Sequence, residues 1–489
     1  MTDSRPGKTL RLKKSATPDD DTQKPAQRSG ARARRAAILK LEREKQERLE
    51  RQQAQAQKRK QRQERQERQE RQARQEGQEG QEGQGRQGRQ TRRAARRPAR
   101  SGGGRDMSTV YPVFAPCPQG LEEALAIELQ ALGYQKVRPG RAGCHFEADW
   151  NGVMQANLYS RLATRILVRL AHAPVRSEDD IYALARSVAW EDWFGPEHTL
   201  RVDTSAIRSP MQSLQYCNLL TKDGICDRLR DKEGERPSVD TVRPDARVQL
   251  FLDQDSATLY LDSTGEALFK RGWRLDKGEA PLRENLAAGM LALSGWDPST
   301  PLLDPFCGSA TILIEAAWIA LGIPPGISRP FGFERLRDHN RRHWHDIKDE
   351  ARSRIADTAD NVLVGCDMDQ AALDAASRNI ERARLAPGII RLERGDARRI
   401  MPPAAEPGWI VTNPPYGERL EAADDALWQE WATNLKKHYD GWQVNVISSD
   451  LDLPRAMRLK ARRRHPLYNG ALDCRLFSFD MVAAGYRNA

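Results

Sequence analysis

The chain after residue 106 shows two successive patterns of apolar and polar positions. Over 107–265, helical and strand periods follow one another irregularly. Leu121, Leu125, Leu129 and Leu132 recur every three to four residues, which predicts a helix over 119–132. The other helices predicted in this region lie around 151–162 and 213–231, and the strands lie over 110–114, 143–149, 165–171 and 198–206, with a hairpin over 246–264. This mixture predicts an α+β region.

Over 266–489 the pattern changes to short apolar strands that alternate with amphipathic helices. Such an order predicts an α/β domain with a mostly parallel sheet covered by helices on both faces. Between its first two strands, residues 322–360 form a long connection that we expect to contain a helical insertion. Within the helix predicted over 213–231, Leu219, Leu220, Ile225 and Leu229 are expected to face the core.

Residues 1–106 form a third region of low complexity, which holds 31 Lys and Arg, 15 Asp and Glu, and no aromatic residue. The remaining 48 basic and 53 acidic residues leave the rest of the chain slightly acidic. A segment this polar cannot offset an ordering entropy of about 1–2 kcal/mol per residue. We therefore expect a disordered basic arm. Such an arm is either a solvated tail or a tether that binds nucleic acid without sequence preference.

Cysteine, histidine and apolar content limit the class of protein. Seven scattered cysteines without a C-x-x-C pair predict free thiols in a reducing compartment. No run of about 18 apolar residues and no apolar core of a signal peptide occur, so we expect a cytoplasmic protein. His339, His343 and His345 have no accompanying set of carboxylates or thiolates, and we expect them to be exposed to solvent and not to bind a metal.

Acidic residues follow three of the predicted strands. Asp304 ends the first strand and opens the turn Pro305-Phe306-Cys307-Gly308, Asp367 ends the second, and Asp396 follows the third. Ligands of open α/β sheets bind at this edge, at the carboxyl ends of the strands. The turn has one glycine, which disfavours a pyrophosphate cradle. Carboxylates here suit a cationic ligand, and an acid ending the second strand typically accepts hydrogen bonds from ribose hydroxyls; Asp396 can accept from an adenine amino group.

The fourth predicted strand ends in Thr412-Asn413-Pro414-Pro415-Tyr416, and its two prolines make the turn rigid. An exocyclic amine attacks a methyl group only after its nitrogen pyramidalises, because the lone pair is delocalised into the ring. The Asn413 side-chain oxygen and the Pro414 carbonyl can accept from the amine and favour that geometry. Tyr416 offers a flat face to a flipped base, worth about 1–3 kcal/mol.

Several stretches resemble a known family. "LLDPFCGSATILIEAA" (302–317), "NPPYGERL" (413–420) and "NGALDCRLFSFD" (469–480) are similar to class I S-adenosylmethionine-dependent methyltransferases, and most closely to the RlmL type that methylates guanine N2 in large-subunit (23S) rRNA. "YSRLATRILVRL" (159–170) and "LTKDGICDRLR" (220–230) resemble a ferredoxin-like module with a THUMP domain.

The resemblance implies a Rossmann-like, mostly parallel seven-stranded sheet over 266–489 and a ferredoxin-like plus THUMP RNA-binding module over 107–265. S-adenosylmethionine is the implied cofactor, held by Asp304 to Gly308, Asp367 and Asp396, and Lys222 is the implied phosphate contact. Two departures stand out. Ala310 occupies a position where such loops usually have glycine, and no fused second methyltransferase domain is expected in this chain.

Three alternatives remain open from the residues. A pyrimidine-C5 methyltransferase needs a cysteine nucleophile, which the Asn-Pro-Pro-Tyr motif lacks. An adenine-N6 methyltransferase would use the same motif, because it suits any amino group on a planar ring. The chain might otherwise serve as a non-catalytic RNA-binding assembly factor, although the strand-end acids and Asn413 are intact.

Overall fold

A computed structural model of the protein describes residues 107–276, 282–415 and 424–482. The predicted arm, residues 1–106, lies outside the described residues, and so does Tyr416. The described residues build two sheets, the first within 107–265 and the second within 266–489.

The first sheet belongs to the region over which the sequence mixes helical and strand periods. Its strands are β1 (Tyr111–Pro116), β2 (Gln135–Gly140), β3 (Gly143–Ala148), β4 (Leu167–Pro174), β5 (Thr199–Ala206), β6 (Ser238–Val239), β7 (Ala246–Leu252) and β8 (Ser256–Asp262). Its helices are α1 (Glu122–Ala131), α2 (Trp150–Tyr159), α3 (Glu178–Ser187) and α4 (Leu214–Glu233), with a 3₁₀ turn at Trp190–Asp192.

These strands form one continuous sheet with the order β2-β3-β1-β4-β8-β7-β5-β6. Strands β4 and β8 pair antiparallel from Leu167 opposite Asp262 to Pro174 opposite Ser256, and this pairing joins the ferredoxin-like half to the other half. One sheet face is apolar and packs in the main core, as Val113 and Ala115 show at 2% and 0% exposure. The α+β character predicted from sequence is confirmed.

The second sheet belongs to the region of alternating strands and helices. Its strands are β9 (Leu302–Asp304), β10 (Leu363–Asp367), β11 (Ile390–Arg394), β12 (Trp409–Thr412), β13 (Gln443–Ser448), β14 (Arg463–Asn469) and β15 (Leu472–Asp480). Its helices are α5 (Glu284–Ser294), α6 (Thr311–Ala320), α7 (Arg341–Ser353), α8 (Gln370–Arg382), α9 (Asp424–His438) and α10 (Leu453–Ala456), with a 3₁₀ turn at Gly332–Arg335.

The strand order β11-β10-β9-β12-β13-β15-β14 places β9 in the interior of this sheet. Strands β9 to β13 run parallel, and β15 pairs antiparallel with both β13 and β14. The Rossmann-like, mostly parallel seven-stranded fold is therefore confirmed for the described residues. Because the carboxyl ends of β9, β10 and β12 meet at one edge, the residues that follow these strands converge there.

A buried ion-pair cluster connects the ferredoxin-like half to the second region. Arg271 and Glu315 have fully buried side chains, and Arg271 Nε lies 3.2 Å from Glu315 Oε1. Arg161 Nη1 lies 3.8 Å from Glu315 Oε2, while its Nη2 donates to the carbonyls of Trp318 and Ile323 at 3.1 and 2.5 Å. Arg271 Nη2 also donates to the Arg161 carbonyl at 2.7 Å. These bonds hold the two regions together at a desolvated site.

Close backbone approach reinforces the same junction. A Cβ added to Gly120 would lie 2.1 Å from the Pro466 carbonyl oxygen, and one added to Gly289 would lie 2.4 Å from a Leu121 methyl carbon. Glycine is therefore required on each side of the contact.

Two side-chain expectations were wrong. Leu219 is 46% exposed although the helical period placed it in the core, whereas Ile225 and Leu229 are fully buried as predicted. His339 and His343 are half-buried and not fully exposed: His339 packs on the Phe333 ring, and His343 Nε2 lies 3.0 Å from Asn151 Oδ1. Contacts with Phe333 and Asn151, which no local period encodes, partly cover the two histidines.

Candidate active site

A cleft of about 490 Å³ opens at the carboxyl edge of the second sheet. This volume lies within the range of about 300–1,000 Å³ that small-ligand sites occupy. The predicted site residues that line it are Asp304, Pro305, Phe306, Cys307, Gly308, Asp367, Asp396, Asn413, Pro414 and Pro415. The structure thus brings together residues that come from four different strand ends.

The turn after β9 is fixed by its neighbour β10. The Cys307 backbone N–H donates to the Cys366 carbonyl at 3.0 Å, and the Gly308 N–H donates to Asp367 Oδ2 at 3.0 Å. Gly308 has a φ of +52°, and Ala310, which caps α6, has a φ of +63°. A left-handed conformation favours glycine, which gives a physical reason why glycine is the residue expected at position 310.

Asp304 is a carboxyl group held away from water at the bottom of this edge. It is 2% exposed, and burial raises its pKa from 3.8 to about 7, against the opposing effect of two hydrogen bonds. Thr412 Oγ1 donates to Asp304 Oδ1 at 2.6 Å, and the Phe306 N–H donates to the same oxygen at 3.3 Å. The nearby charge of Asp367 raises the pKa further.

Asp367 and Asp396 lie on the two next strand ends and have different partners. Asp367 accepts the Gly308 N–H on one oxygen and the Asp369 N–H, at 3.0 Å, on the other, which orients its carboxylate. Asp369 caps α8 through the Ala371 N–H, as an acidic residue before a helix would. Both oxygens of Asp396 accept from Arg398, with distances of 2.6–3.0 Å, and this pairing lowers the pKa of Asp396. Much of its acceptor capacity is already used.

Asn413 has a buried side-chain oxygen that accepts no hydrogen bond from the described residues. Buried polar atoms normally have partners, and a buried acceptor without one costs about 1–3 kcal/mol. Pro414, which follows, is buried, whereas Pro415 is exposed. An unpaired acceptor beside a cleft suits a ligand that carries a donor group.

The sequence interpretation assigned no role to Met368, which lines the cleft and is 60% exposed, or to Thr412, whose hydroxyl bonds Asp304 on the neighbouring strand. The only sequence signal for Thr412 is a polar residue at the end of a buried strand. Lys222, the predicted phosphate contact, lies on α4 and does not line the cleft. Its Nζ lies 2.7 Å from Asp223 Oδ1, and the residue lines a separate hollow of about 550 Å³.

Within 107–276, 282–415 and 424–482, no group of three or more His, Cys, Asp or Glu side chains is arranged to hold a metal ion. Within the same ranges, no helix combines the length and the apolar content needed to cross a bilayer.

Comparison with known proteins gives three consecutive domain matches. Residues 112–167 match the RlmL ferredoxin-like domain, 175–262 the THUMP domain, and 271–478 the RMKL-like methyltransferase domain. A possible methylase of Clostridium difficile 630 is 31% identical, with a TM-score of 0.71, and the match covers 76% of this chain and 98% of that protein. This chain belongs to the RMKL-like methyltransferase family. The resemblance read from the sequence motifs is confirmed.

Two further proteins are similar to this chain over 76% of its length. SMU.472, solved in complex with SAH, is 26% identical with a TM-score of 0.70, over 76% of this chain and 99% of that one. The ribosomal RNA large subunit methyltransferase K/L of Syntrophotalea carbinolica is 38% identical over 381 residues, which are 76% of this chain and 53% of the relative. The chain thus spans about half the length of the curated relatives it matches.

Membership of the RMKL-like methyltransferase family also confirms S-adenosylmethionine as the cofactor. The described residues fit it on their own chemistry. Asp304 and Asp367 place carboxyl groups on the wall of the cleft, which suits a cationic ligand bearing hydroxyls, and the Asn413 oxygen is an acceptor with no partner among the described residues.

Proposed function

We propose that the protein transfers a methyl group from S-adenosylmethionine to the exocyclic N2 amine of a guanine in 23S ribosomal RNA. The observation that carries the proposal is the buried Asn413 oxygen, unpaired among the described residues, in a cleft lined by four carboxyl groups. The names of the large-subunit rRNA methyltransferase relatives support the choice of RNA.

Donor binding is assigned to the turn after β9 and to the acids at the strand ends. Asp367 would accept the ribose hydroxyls, and Asp304 would offset the positive charge of the amino acid part. The exposed Met368 would cover the adenine from one side, with Asp396 accepting from the adenine amino group where Arg398 leaves a lone pair. Bound S-adenosylmethionine supplies an electrophilic methyl group on its sulfonium.

Asn413 and Pro414 are assigned to the guanine amine. The Asn413 oxygen and the Pro414 carbonyl would each accept one N–H of the amine, which favours a pyramidal nitrogen and directs its lone pair to the methyl carbon. Thr412 is a positioning residue, because its hydroxyl ties the strand end that carries Asn413 to Asp304 at 2.6 Å. Tyr416 is assigned to stacking on the flipped base, and Pro415 to stiffening the turn.

RNA positioning is assigned to the ferredoxin-like plus THUMP module over 107–265. Lys222 would contact phosphate after exchanging its Asp223 partner. The buried Arg161–Glu315–Arg271 cluster would hold this module at a fixed distance from the cleft.

Nucleoside analysis tests the proposal against its rivals. The protein is incubated with labelled S-adenosylmethionine and unmodified ribosomal RNA, and the RNA is digested to nucleosides. We expect N2-methylguanosine. N6-methyladenosine or 5-methylcytidine would select a rival enzyme, and RNA binding without label would select the assembly factor.

The role of Asn413 is tested by Asn413→Ala. Loss of one preorganised hydrogen-bonding group costs about 10²–10³ in turnover, so we expect at least a hundredfold loss of turnover with donor affinity nearly unchanged in calorimetry. Asn361→Ala is the matched control, because Asn361 is half-buried and its amide also lacks partners, but it lies outside the cleft. Equal loss of donor binding and turnover in Asn413→Ala would contradict the role.

A further inference from the structure

Aromatic rings cover part of the first-sheet face that does not pack into the main core. His145 lies directly opposite Phe114 in the pairing of β1 and β3, so both side chains project from the same face. Their ring centroids are 4.7 Å apart, and the Phe114 centroid lies 6.2 Å from that of Tyr260. The flanking residues Val113 and Ala115 point to the opposite face and are buried. A sheet face turned away from the core is normally polar, so this run of rings needs an explanation.

The glycines beneath these rings let them lie close to the sheet. A Cβ added to Gly143 would lie 2.8 Å from the Phe114 Cζ atom, and one added to Gly140 would lie 3.6 Å from a His145 ring carbon. The rings therefore extend over backbone that has no side chain. His145 is exposed, Phe114 is half-buried and Tyr260 is 7% exposed, so the ring surface open to a ligand belongs mainly to His145 and Phe114, with Tyr260 packed behind them.

Two arginines flank the rings. Arg138 lies opposite His145 on β2, and Arg169 lies opposite Tyr260 on β4. Both are exposed, and neither forms an ion pair or a side-chain hydrogen bond with the described residues. Glu147, an acid two residues from His145 on β3, is already paired with Lys136 at 2.8 Å. The face thus carries two uncompensated guanidinium groups beside planar rings.

The hollow between these side chains measures about 280 Å³. It is lined by Pro112, Arg138, His145, Arg169 and Tyr260, among others. Rings that accept a base face to face, with cations for the adjoining phosphates, are how proteins hold unpaired nucleotides. Bases inside a duplex are stacked on each other and cannot reach rings that lie on a sheet.

We propose that this face, defined by Phe114, His145, Tyr260, Arg138 and Arg169 and called here the ring platform, binds an unpaired stretch of the substrate RNA by stacking. The inference rests on the proposed function for the identity of the substrate as RNA. It adds a second RNA contact where β4 of the ferredoxin-like half pairs with β8, separate from the cleft at Asn413 and from Lys222. Charge complementarity with phosphate selects RNA as the occupant of this aromatic face.

Photochemical crosslinking of the full chain tests the ring platform. The probe is a single-stranded decamer RNA containing 4-thiouridine, irradiated at a salt concentration of about 0.2 M to limit contacts that depend only on charge. Adducts are mapped by mass spectrometry of the digested protein. We expect adducts within Tyr111–Pro116 or Gly143–Ala148. A duplex of the same length should compete at least tenfold more weakly than the single strand.

Two variants and one control sharpen the result. Phe114→Leu keeps an apolar side chain without the ring, and we expect its adduct yield in these strands to fall at least about fivefold, the lower end of one stacked base. The pair Arg138→Gln with Arg169→Gln leaves every ring in place and should also lower the yield; it carries the test if Phe114→Leu melts early in circular dichroism. Arg463→Gln removes an exposed cation from β14 that forms no ion pair with the described residues, and it should leave the yield unchanged.

The outcomes that overturn the ring platform are distinct. The first two are adducts that form elsewhere but not in β1 or β3, and adduct yields that do not change in the ring and arginine variants. The other two are equal competition by the duplex, and a wild-type dimer that dissociates in Phe114→Leu, which would assign the face to a second copy of the chain. Assaying N2-methylguanosine on the same preparations separates the two claims. Adducts without that nucleoside refute the proposed function alone, and the nucleoside without adducts refutes the ring platform alone.

Discussion

Replacing Asp304 by asparagine is expected to stabilise the donor-free protein at neutral and alkaline pH. The wild-type carboxyl group is 2% exposed, and burial raises its pKa from 3.8 to about 7. Between these two pH values the folded state retains a proton that the unfolded state has lost. Stability contributed by the neutral carboxyl is therefore complete below pH 3.8 and is lost as the pH rises through 7.

The magnitude follows from the size of the shift. About three pKa units at 1.36 kcal/mol each give an upper value of about 4 kcal/mol by pH 8. Asparagine has no proton to lose, and its side-chain oxygen can still accept from the Thr412 hydroxyl and the Phe306 N–H. We therefore expect equal free energies of unfolding near pH 4 and a variant that is more stable by up to about 4 kcal/mol at pH 8.

Urea unfolding of the full chain from pH 4 to 8.5 measures this difference. Asp297→Asn is the matched control, because hydrogen bonds from Ser299 lower the pKa of that exposed carboxyl. This substitution should therefore make the protein less stable as the pH rises, which is the opposite of the change expected for Asp304→Asn. Donor affinity of Asp304→Asn should fall at least tenfold in calorimetry, which would show that the carboxyl is retained for binding at the expense of stability. Parallel stability curves for wild type and Asp304→Asn would refute the reasoning.

The remaining predictions concern packing and backbone strain, and urea unfolding measures each. Gly120→Ala should destabilise the protein by about 1–3 kcal/mol more than the control Gly133→Ala. Both glycines have a φ above +90°, but only a Cβ at position 120 would clash with the second region, at the Pro466 carbonyl. Equal losses of stability in the two variants would contradict the clash. Glu315→Ala should cost about 3–5 kcal/mol, because it leaves the buried Arg271 guanidinium without its anion, whereas a loss below 1 kcal/mol would show that water compensates. Ala310→Gly should change stability by less than about 1 kcal/mol, because relief of left-handed strain is offset by glycine entropy and one lost methyl contact; a gain above 2 kcal/mol would show larger strain.

The acidic strand ends could be predicted because strand periodicity and chain order are local properties. Asp304, Asp367 and Asn413 each follow an apolar run, and parallel strands bring such positions to one edge. The family resemblance assigned the binding of S-adenosylmethionine to the same acidic residues. The family pattern also predicts glycine at position 310, and the φ of +63° observed for Ala310 is a conformation that favours glycine.

Other features depend on pairings between distant residues and left no local pattern. The Thr412–Asp304 hydrogen bond joins residues 108 positions apart, and the pairing of β4 with β8 unites two halves that appear separate in the sequence. Leu219 has the helical spacing of a core residue, but it borders an open hollow beside β5 and is 46% exposed.

The central claim is that a guanine amine held by Asn413 and Pro414 faces a donor held by the neighbouring carboxyl groups. A crystal structure of the protein with S-adenosylhomocysteine and a short guanosine-containing RNA tests it most directly. We expect the ribose of the cofactor product within hydrogen-bonding distance of Asp367 and the guanine N2 within hydrogen-bonding distance of the Asn413 oxygen. Cofactor product bound away from this cleft, or a guanine whose amine does not contact Asn413, would contradict the account.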